Sequence, residues 1–392
     1  MHLEIQDQRL KILITRSKPI DPDPRVEKTA HALAGFGYQI VVLGWDRTGA
    51  LPETQTPADG QENISIHRLP IKSEYGHGLA NLPNLLRWQW GLMKWLIRHR
   101  HEYDIIHACD FDTVLPALVS KRIWGKRVVY DIFDFYADHL RSTPEALKRL
   151  IRWLDIKAID RADALILADE ARFAQIEGAQ PKRSTVIYNS PSMENPPPVD
   201  DTSPAPDIEF RAAYVGLLQV ERGLLEMLEV IGRHPDWVLD LAGFGGDEAA
   251  LLEKSTKLPN VNWHGRIPYD RAIQISQAAD VLFATYDPAV PNHRYSSPNK
   301  VFEAMMLGKP VIVARDTNMD RIIENAGCGL VIPYGDIVAL ENALIRLHDD
   351  PDYRNQLGKN GFQAYKSTYS WQEMRGRLKS LYEEVTSELS TP

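Results

Sequence analysis

The sequence predicts an α/β protein made of two doubly wound domains. Short apolar runs alternate with helical patterns along most of the 392 residues, which is typical of βαβ units with parallel strands. Several runs are apolar on both faces, as expected for parallel strands covered by helices. One stretch rich in proline and acidic residues interrupts the alternation, which then restarts. The interruption predicts a linker between two domains of similar design.

The predicted first domain spans residues 1–190. Its strands are KILIT, QIVVLG, ISIHRL, YDIIHA, RVVYDI, DALILA and STVIYN. Residues 191–209 form the predicted linker and residues 210–368 the second domain, with strands RAAYVG, WVLDLAG, NVNWHG, DVLFAT, KPVIVA and CGLVIP. Two doubly wound domains are expected to place the carboxyl ends of their strands around a shared cleft, the usual ligand location for such sheets.

Composition narrows the functional class. The chain is 44% hydrophobic and 25% charged, which is ordinary for a globular protein. A net charge of −8 disfavours a nucleic-acid partner. Two cysteines are too few for a disulfide framework or a cysteine-based zinc site, and favour a reducing compartment. Neither a signal-peptide pattern nor a membrane-spanning apolar run is found, so we expect a cytoplasmic protein that is at most peripheral to a membrane.

One helical pattern in the first domain, over residues 82–101, combines tryptophans with basic residues. Its apolar stripe is Leu82, Leu86, Trp90, Met93 and Ile97, and its basic residues are Arg87, Lys94, Arg98 and Arg100. Such a helix suits an anionic membrane surface, and a second basic stretch, LKRLIRWLDIK, points the same way. The alternative is a core-packing helix with a solvated basic face.

The stretch RYSSPNKVFEAMMLGKPVIV predicts a helix that leads into a buried strand. Ser297 is a good N-cap and Pro298 suits the first helical position. Lys300 and Glu303 share one face, since residues three apart on a helix are neighbours. The N–H groups of the first turn can bind an anion. The stretch therefore predicts a site for a phosphate beside a hydroxyl-rich group, or else an ordinary ion pair within the helix.

Two glycine-containing turns precede this helix in the second domain. YVGLLQVERGL turns at Gly216 and carries Arg222 at the start of a helix, where it is placed to reach a phosphate. LAGFGGDEAALL has glycines at spacings that do not fit a dinucleotide fingerprint. Each turn alone is also compatible with a purely structural role in joining a strand to the next helix.

The order of these motifs resembles the donor-binding half of glycosyltransferase family 4. PRVEKTAHALAGFGYQIVVLG and DIIHACDFDTVLPALV are similar to the acceptor domain of the same family, so that the resemblance covers nearly the whole chain. It implies the GT-B fold, in which two Rossmann-like domains flank a central cleft. It also implies a hexosyltransferase that moves a sugar from a nucleotide-diphosphate donor, usually with retention of configuration and without a bound metal or other cofactor. Residues 369–392 resemble the C-terminal helix that crosses back to the first domain in such proteins.

The resemblance assigns roles to the second-domain residues. Glu303 matches the glutamate that hydrogen-bonds the donor ribose, Arg222 matches the basic residue at the diphosphate, and Lys300 is positioned to add a second cation. Asn292 and His293 are candidate contacts to sugar hydroxyls. The predicted donor site comprises Gly216, Arg222, Asn292, His293, Ser296, Ser297, Asn299, Lys300 and Glu303.

The sequence departs from the family pattern at three positions. Tyr295 replaces the first glutamate of the Glu-x7-Glu motif, Leu217 replaces an arginine, and Phe133 replaces a histidine that usually touches the sugar. Sugar identity and stereochemistry therefore stay open, as does a non-catalytic relative that binds a nucleotide sugar or a partner transferase.

Four first-domain residues are candidates for catalysis. Asp131 and Asp134 end one predicted strand, and His107 and Asp110 end the preceding one. Either aspartate of the first pair is placed to contact the sugar or to act as general base for an acceptor hydroxyl. A base would imply inversion, whereas front-face displacement with retention is the favoured mechanism. Helix capping and structural hydrogen bonding are the alternatives.

The loop after the first strand occupies the position of the family's acceptor loop. Arg16, Lys18 and Arg25 are candidate contacts to the phosphate of a lipid-linked acceptor, or are simply surface charge. We therefore expect a cytoplasmic glycosyltransferase on the inner face of the plasma membrane that builds a surface polysaccharide or a lipid-linked glycan. A nucleotide-sugar epimerase is a third option, disfavoured because a soluble substrate needs no basic tryptophan helix.

Overall fold

A computed structural model describes residues 9–57, 61–73, 82–139, 143–192 and 210–388. The chain divides into two compact units. The first comprises Met1–Ile187 with Arg375–Pro392, and the second comprises Tyr188–Met374. Of the predicted linker, residues 193–209 lie outside the described residues.

The first unit is built on an eight-stranded sheet in the order β3-β4-β2-β1-β5-β6-β7-β8. All neighbouring strands are parallel except β3, which runs antiparallel to β4. The strands are β1 (Lys11–Arg16), β2 (Gln39–Asp46), β3 (Thr54–Gln55), β4 (Ile64–Pro70), β5 (Ile105–Cys109), β6 (Arg127–Ile132), β7 (Ala164–Leu167) and β8 (Ser184–Val186). The helices are α1 (Pro24–Gly35), α2 (Leu82–Arg98), α3 (Phe111–Trp124), α4 (Tyr136–His139) and α5 (Glu145–Arg161).

The second unit has a six-stranded parallel sheet in the order β11-β10-β9-β12-β13-β14. The strands are β9 (Phe210–Leu217), β10 (Trp237–Phe244), β11 (Val261–Gly265), β12 (Val281–Ala284), β13 (Val311–Ala314) and β14 (Gly329–Ile332). The helices are α6 (Leu224–Ile231), α7 (Glu248–Ser255), α8 (Tyr269–Ala278), α9 (Asn299–Met306), α10 (Met319–Ala326), α11 (Ile337–Asp349) and α12 (Pro351–Ala364). Helix α13 (Trp371–Ser387) follows, and the chain rejoins the first unit from Arg375 onward.

Each sheet has one point where the strand order reverses. In the first unit the chain leaves β1 toward β2 and later returns to β5 on its other side, and in the second it does the same between β9 and β12. Loops that follow the carboxyl ends of such strands diverge and leave a crevice, where ligands of doubly wound sheets bind. The predicted α/β, doubly wound architecture is confirmed in both units, and the two reversal points mark where a site is to be sought.

Helix α9 differs by one residue from its predicted start. Pro298 has extended backbone angles (φ −73°, ψ 149°) and is the N-cap, so the helix begins at Asn299. The prediction of Ser297 as N-cap was therefore wrong, because Pro298 itself keeps the extended angles of a capping residue and does not enter the helix. Gly308, at φ +64°, ends the segment as expected.

Helix α2 exposes the apolar stripe that the sequence singled out. Its buried residues are Trp88, Leu92 and Leu96, which lie on a different face from the stripe. Trp90 is 62% exposed and Leu86 60% exposed. The helix therefore packs into the core through a second set of apolar residues, while Arg87, Lys94 and Arg98 are exposed. This agrees with the alternative of a core-packing helix with a solvated basic face, and most of the predicted stripe stays exposed beside it. None of the helices within the described parts of the chain is long and apolar enough to cross a bilayer.

Candidate active site

The predicted donor residues surround the reversal point of the second sheet. Gly216 ends β9, and Arg222 ends the 3-10 turn that follows. Because β12 is the neighbour of β9, Tyr286, which follows β12, comes next to Arg222 and its ring centroid lies 3.8 Å from the guanidinium carbon. Gly223, at φ +69°, lets this turn pass close to the backbone of Thr285. The first turn after β9 is thus fixed against the loop after β12.

Lys300 supplies a second cation at the same point. Its ammonium nitrogen is buried, lies 3.3 Å from the ring centroid of Tyr214, and has no hydrogen-bond partner among the described residues. Burial, and then the charge of Arg222, hold the pKa of Lys300 well below its ordinary value, with Glu303 opposing them. A buried ammonium without a hydrogen-bonding acceptor is costly. The arrangement is therefore suited to an anionic ligand.

Gly216 makes room for this ammonium. A Cβ atom at position 216 would lie 2.9 Å from Nζ of Lys300, and the φ angle of +151° is one that side chains rarely adopt. The backbone geometry favours glycine here, and a side chain at this position would displace the ammonium of Lys300.

Glu303 lies one turn along α9 from Lys300 and is buried. Its Oε1 accepts a hydrogen bond from the Tyr269 hydroxyl at 2.9 Å. Burial, followed by the nearby Glu303 charge, raises the pKa of Tyr269, so the phenol stays protonated and donates to the carboxylate. Glu303 is thereby held in one orientation, as a residue that binds ribose hydroxyls would need to be.

The loop that enters α9 holds the remaining donor candidates. His293 is 5% exposed, and its Nδ1 lies 2.8 Å from the Asp287 carbonyl oxygen. Burial, and then Arg222, lower the pKa of His293, which favours a neutral imidazole. Ser296 donates to the Asn292 carbonyl at 2.9 Å, so both shape the turn.

Two polar candidates flank the start of α9. Ser297 is buried at 9% exposure. The side-chain Oδ1 of Asn299 is buried without a hydrogen-bond partner in the described part of the chain. The structure therefore brings Gly216, Arg222, Lys300 and Glu303 to one place, with the 292–299 segment beside them.

Charged residues at the reversal point of the first sheet are paired with each other. Arg16, at the end of β1, binds Asp23 through Nε at 3.0 Å and Asp110 through Nη1. Oδ1 of Asp110 accepts from the backbone N–H of Phe133 at 2.9 Å. The Phe133 ring lies 4.1 Å from the Arg16 guanidinium carbon and 4.6 Å from that of Arg25. Phe133 thus occupies the place between two arginines.

Asp131 is the centre of a second buried network. It accepts from Nη2 of Arg25 at 2.9 Å and lies 3.3 Å from Nε2 of His107. Nδ1 of His107 lies 2.7 Å from the hydroxyl of Tyr382 in α13. Burial acts to raise the pKa of Asp131, but Arg25 and His107 outweigh it and hold that pKa below its ordinary value. Asp131 is therefore a charged and fully engaged carboxylate.

The other first-unit candidates lie further out. Asp134, with its side chain 46% exposed, accepts from Arg172 at 2.7 Å. Lys18 is exposed in the loop after β1. Within the described residues there is no group of three or more His, Cys, Asp or Glu side chains placed to hold a metal ion.

Three tyrosines in the second unit were missed by the sequence analysis. Tyr214 lies two residues before Gly216 on β9, and strand alternation puts it on the same face. Tyr286 follows the strand next to β9, which only the sheet order shows. Tyr269 begins α8 far from Glu303 in sequence, so that no local pattern could reveal the contact.

Comparison with known families decides the class of protein. Residues 200–364 match the family described as "Glycosyl transferases group 1", and residues 22–190 match "Glycosyl transferase 4-like domain". Together the two matches cover more than four fifths of the chain. The chain belongs to the family-4 glycosyltransferases. It is a glycosyltransferase with a nucleotide-sugar donor, as the order of its motifs predicted.

Relatives over most of the chain carry glycosyltransferase names. The D-inositol 3-phosphate glycosyltransferase of Corynebacterium urealyticum is 23% identical over 92% of this chain and 89% of its own length. The phosphatidyl-myo-inositol mannosyltransferase of Mycobacterium leprae is 22% identical over 92% of both chains. The alpha-D-kanosaminyltransferase of Streptomyces kanamyceticus is 24% identical over 92% of this chain and 98% of its own.

Solved structures establish the fold as GT-B. Sucrose-phosphate synthase from Thermosynechococcus elongatus gives a TM-score of 0.80 at 17% identity, covering 97% of this chain and all of the other. Anabaena Alr3699/HepE in complex with UDP-glucose gives 0.66 at 18% identity, covering 98% and 100%. At these identities the likeness shows the fold, and the predicted GT-B class is confirmed.

Proposed function

We propose that the second unit binds the donor as a nucleoside diphosphate sugar, with its diphosphate at Lys300 and Arg222 and its ribose at Glu303. The observation that carries the proposal is the buried ammonium of Lys300, which shares one end of the sheet with Arg222 and has no hydrogen-bonding acceptor among the described residues. A diphosphate supplies the acceptor and the opposite charge. Tyr269 holds the carboxylate that would receive the ribose hydroxyls.

The same groups support catalysis of glycosyl transfer. As the glycosidic bond to the donor breaks, negative charge gathers on the leaving diphosphate. Two fixed cations and the N-terminal N–H groups of α9 stabilise that charge more in the transition state than in the bound donor. We propose that these groups carry out the reaction without a metal or other cofactor.

We further propose retention of configuration by front-face displacement. Each first-unit carboxylate considered as a base is engaged by an arginine: Asp131 by Arg25, Asp110 by Arg16 and Asp134 by Arg172. Asp131, whose pKa is lowered, is a weak proton acceptor. A carboxylate that already binds an arginine is also less available to an acceptor hydroxyl, which favours a mechanism that does not depend on a strong base.

The acceptor is proposed to be lipid-linked or part of a glycan. Two of the relatives are named for inositol phosphate or phosphatidylinositol substrates, which agrees with an acceptor that carries phosphate. Of the three predicted acceptor contacts, Arg16 and Arg25 are buried and paired with carboxylates, which leaves the exposed Lys18 as the available cation.

Calorimetry and thermal shift with UDP, GDP, ADP and TDP and their common sugars test the donor site. We expect one nucleotide to bind and to raise the melting temperature by mass action. Glu303→Ala and Lys300→Ala should weaken that binding by at least ~30-fold, since each loses a charged contact worth about 2 kcal/mol. Lys257→Ala, an exposed lysine paired with Glu253 in the same unit, is the matched control.

Unchanged nucleotide affinity in both donor-site variants would refute the assignment. Binding without donor hydrolysis and without transfer to lipid-linked acceptors would favour the non-catalytic relative instead.

We also propose that the first unit rests on an anionic membrane through one face. Helices α2, α3 and α5 pack side by side, and their outward side chains, here called the three-helix surface, are unusually apolar. Trp90, Ile123 and Trp153 are each more than half exposed. The other exposed large hydrophobic residues of these helices are Leu82, Leu86, Ile97, Val119 and Leu150. Eight exposed large hydrophobic residues on three packed helices are more than scattered single residues, which supports an interaction surface.

Charge selects the partner of the three-helix surface. Helix α2 contains no acidic residue, and Arg87, Arg122 and Arg149 are exposed beside the apolar residues. Tryptophan with basic residues suits the headgroup region of an anionic bilayer.

Flotation with vesicles of phosphatidylglycerol and phosphatidylcholine tests this contact. We expect the protein to float with the anionic vesicles and less with phosphatidylcholine alone. Trp90→Ser with Ile123→Ser should abolish flotation, whereas Val338→Ser, an exposed apolar residue of α11 that is 64% exposed, should not. A concentration-dependent dimer that these serine variants disrupt, with no flotation, would assign the surface to a second copy of the chain.

A further inference from the structure

The two cations of the donor site rest on the faces of two buried tyrosines. Tyr214 is 1% exposed and Tyr286 3% exposed. The Lys300 ammonium lies 3.3 Å from the Tyr214 centroid and 5.6 Å from that of Tyr286, and the Arg222 guanidinium carbon lies 3.8 Å from the Tyr286 centroid. Each cation has a ring of its own, and Lys300 also shares the ring of Arg222.

The rings act through their faces. Burial raises the pKa of both Tyr214 and Tyr286, so neither phenol ionises, and what each offers a cation is the negative face of a neutral ring. A cation on such a face is stabilised most when it is desolvated, as the Lys300 nitrogen is.

Both rings are fixed by further contacts. The hydroxyl of Tyr214 donates to the Leu217 carbonyl at 2.7 Å, and its ring packs against Phe283 with centroids 5.3 Å apart. The ring of Tyr286 packs against His293 with centroids 5.1 Å apart. Because both rings are held in place, they can restrict the positions of the cations that they contact.

Like charges in one place need such a support. Arg222 and burial both disfavour the protonated form of Lys300, and Glu303 is the one carboxylate that acts on it in the described residues. Without the rings, burial and repulsion would favour the unprotonated form of Lys300 still more. Position 217, where the family arginine is replaced by Leu217, cannot supply the charge instead.

We propose that Tyr214 and Tyr286 are positioning residues that hold Lys300 and Arg222 side by side so that both cations meet one diphosphate. The proposal rests on the donor function proposed above and adds to it the groups that make a two-cation site tenable. An ammonium has three N–H donors, so Lys300 can keep one toward the Tyr214 ring and direct the others to phosphate oxygens.

The experiment changes ring electrostatics without changing ring volume much. Phenylalanine and then 3,4,5-trifluorophenylalanine are placed at position 214, and the dissociation constant is measured for the diphosphate that the wild-type protein binds, together with its nucleoside. We expect trifluorination to weaken diphosphate binding by about 10-fold relative to phenylalanine, since a desolvated cation–π contact contributes about that much. Nucleoside binding should not change, because the nucleoside carries no phosphate.

Two controls separate positioning from packing. Trifluorophenylalanine at Phe283, which contacts Tyr214 but no cation among the described residues, should leave diphosphate affinity unchanged. In the Lys300→Met background the effect at position 214 should disappear. Equal affinity of the phenylalanine and trifluorophenylalanine proteins would overturn the proposal. Tighter binding by the trifluorophenylalanine protein would also overturn it, because it would mean that ring and phosphate compete for Lys300.

A measurement without ligand keeps this inference distinct from the donor proposal. A double-mutant cycle on the free energy of unfolding, between trifluorination at 214 and Lys300→Met, is run at mildly acidic pH to favour protonated Lys300. We expect measurable coupling, and its absence would overturn the positioning role. If coupling is present but no nucleoside diphosphate binds the wild-type protein, the proposed function fails while the support of the cation by the ring stands.

Discussion

The reversal points of the two sheets use charge in opposite ways. In the first unit Arg16 and Arg25 are buried and each is bound by a carboxylate. In the second unit Lys300 and Arg222 rest on tyrosine rings, and the ammonium nitrogen of Lys300 has no hydrogen-bonding acceptor within the described residues. A cluster whose charges are paired within the protein stabilises the fold, whereas a cluster with excess positive charge can bind a ligand of opposite charge. The comparison separates charged clusters that serve structure from those that serve binding, although both lie where doubly wound sheets place their sites.

The largest expected effect is on the stability of the first unit, whose buried arginines are paired with carboxylates. Asp131→Asn removes the charge that pairs with Arg25 and keeps the shape of the side chain. Breaking a buried ion pair leaves an uncompensated charge, so we expect the free energy of unfolding to fall by about 3 kcal/mol, measured by urea denaturation. The sign also follows from linkage: the lowered pKa of Asp131 stabilises the protein above the unfolded-state pKa, and that stability is lost as pH falls through the folded-state pKa.

An Asp131→Asn protein that is as stable as wild type but has lost glycosyl transfer would contradict this expectation. It would instead support the role of Asp131 as a general base.

Loss of charge from the cation cluster of the second unit should change the free energy of unfolding in the opposite direction. Lys300→Met removes a buried ammonium whose pKa is depressed and keeps most of the side-chain volume. We expect the free energy of unfolding to rise by about 1 kcal/mol, while nucleoside diphosphate binding weakens strongly. Denaturation and calorimetry on the same preparation measure both. A marked loss of stability would mean that Lys300 serves the fold, and the contrast between the two units would fail.

The smallest effect is a proton taken up on binding. Burial and Arg222 depress the pKa of Lys300 in the protein alone, and a bound diphosphate would raise it. Between those two pKa values Lys300 gains a proton as the ligand binds, so affinity should fall as pH rises through that window. Calorimetry in buffers of different ionisation enthalpy should show uptake of up to about one proton.

Comparison with Lys300→Met isolates this proton from those of the phosphate groups. Equal proton uptake by the two proteins would assign the titration to the ligand alone.

The sequence predicted the residues of the proposed donor site better than the contacts between them. Strand and helix patterns predicted β9, α9 and the turn at Gly216, because periodicity and glycine punctuation are local signals. The contacts of Lys300 with Tyr214 and of Glu303 with Tyr269 join residues 86 and 34 positions apart, and only the sheet order brings the first pair together. In the first unit the sequence indicated which charges are present at the strand ends, but it could not show that they satisfy one another.

The outward stripe of α2 shows a second limit of periodicity. Two apolar faces coexist on this helix, a buried one of Trp88, Leu92 and Leu96 and one toward solvent. A pattern of apolar residues predicts that a helix has an apolar face, but it does not predict which of two such faces the fold buries.

The close approach of Lys300 to Gly216 has a consequence for how this site can change over generations. A Cβ atom at 216 would lie 2.9 Å from the ammonium nitrogen of Lys300, so a side chain at 216 would displace that ammonium, whereas residue 300 can change while 216 stays glycine. In lineages related to this protein, a side chain at 216 should appear together with a shorter or uncharged residue at 300. In an alignment of many sequences, positions 216 and 300 would then covary although they are far apart in the chain.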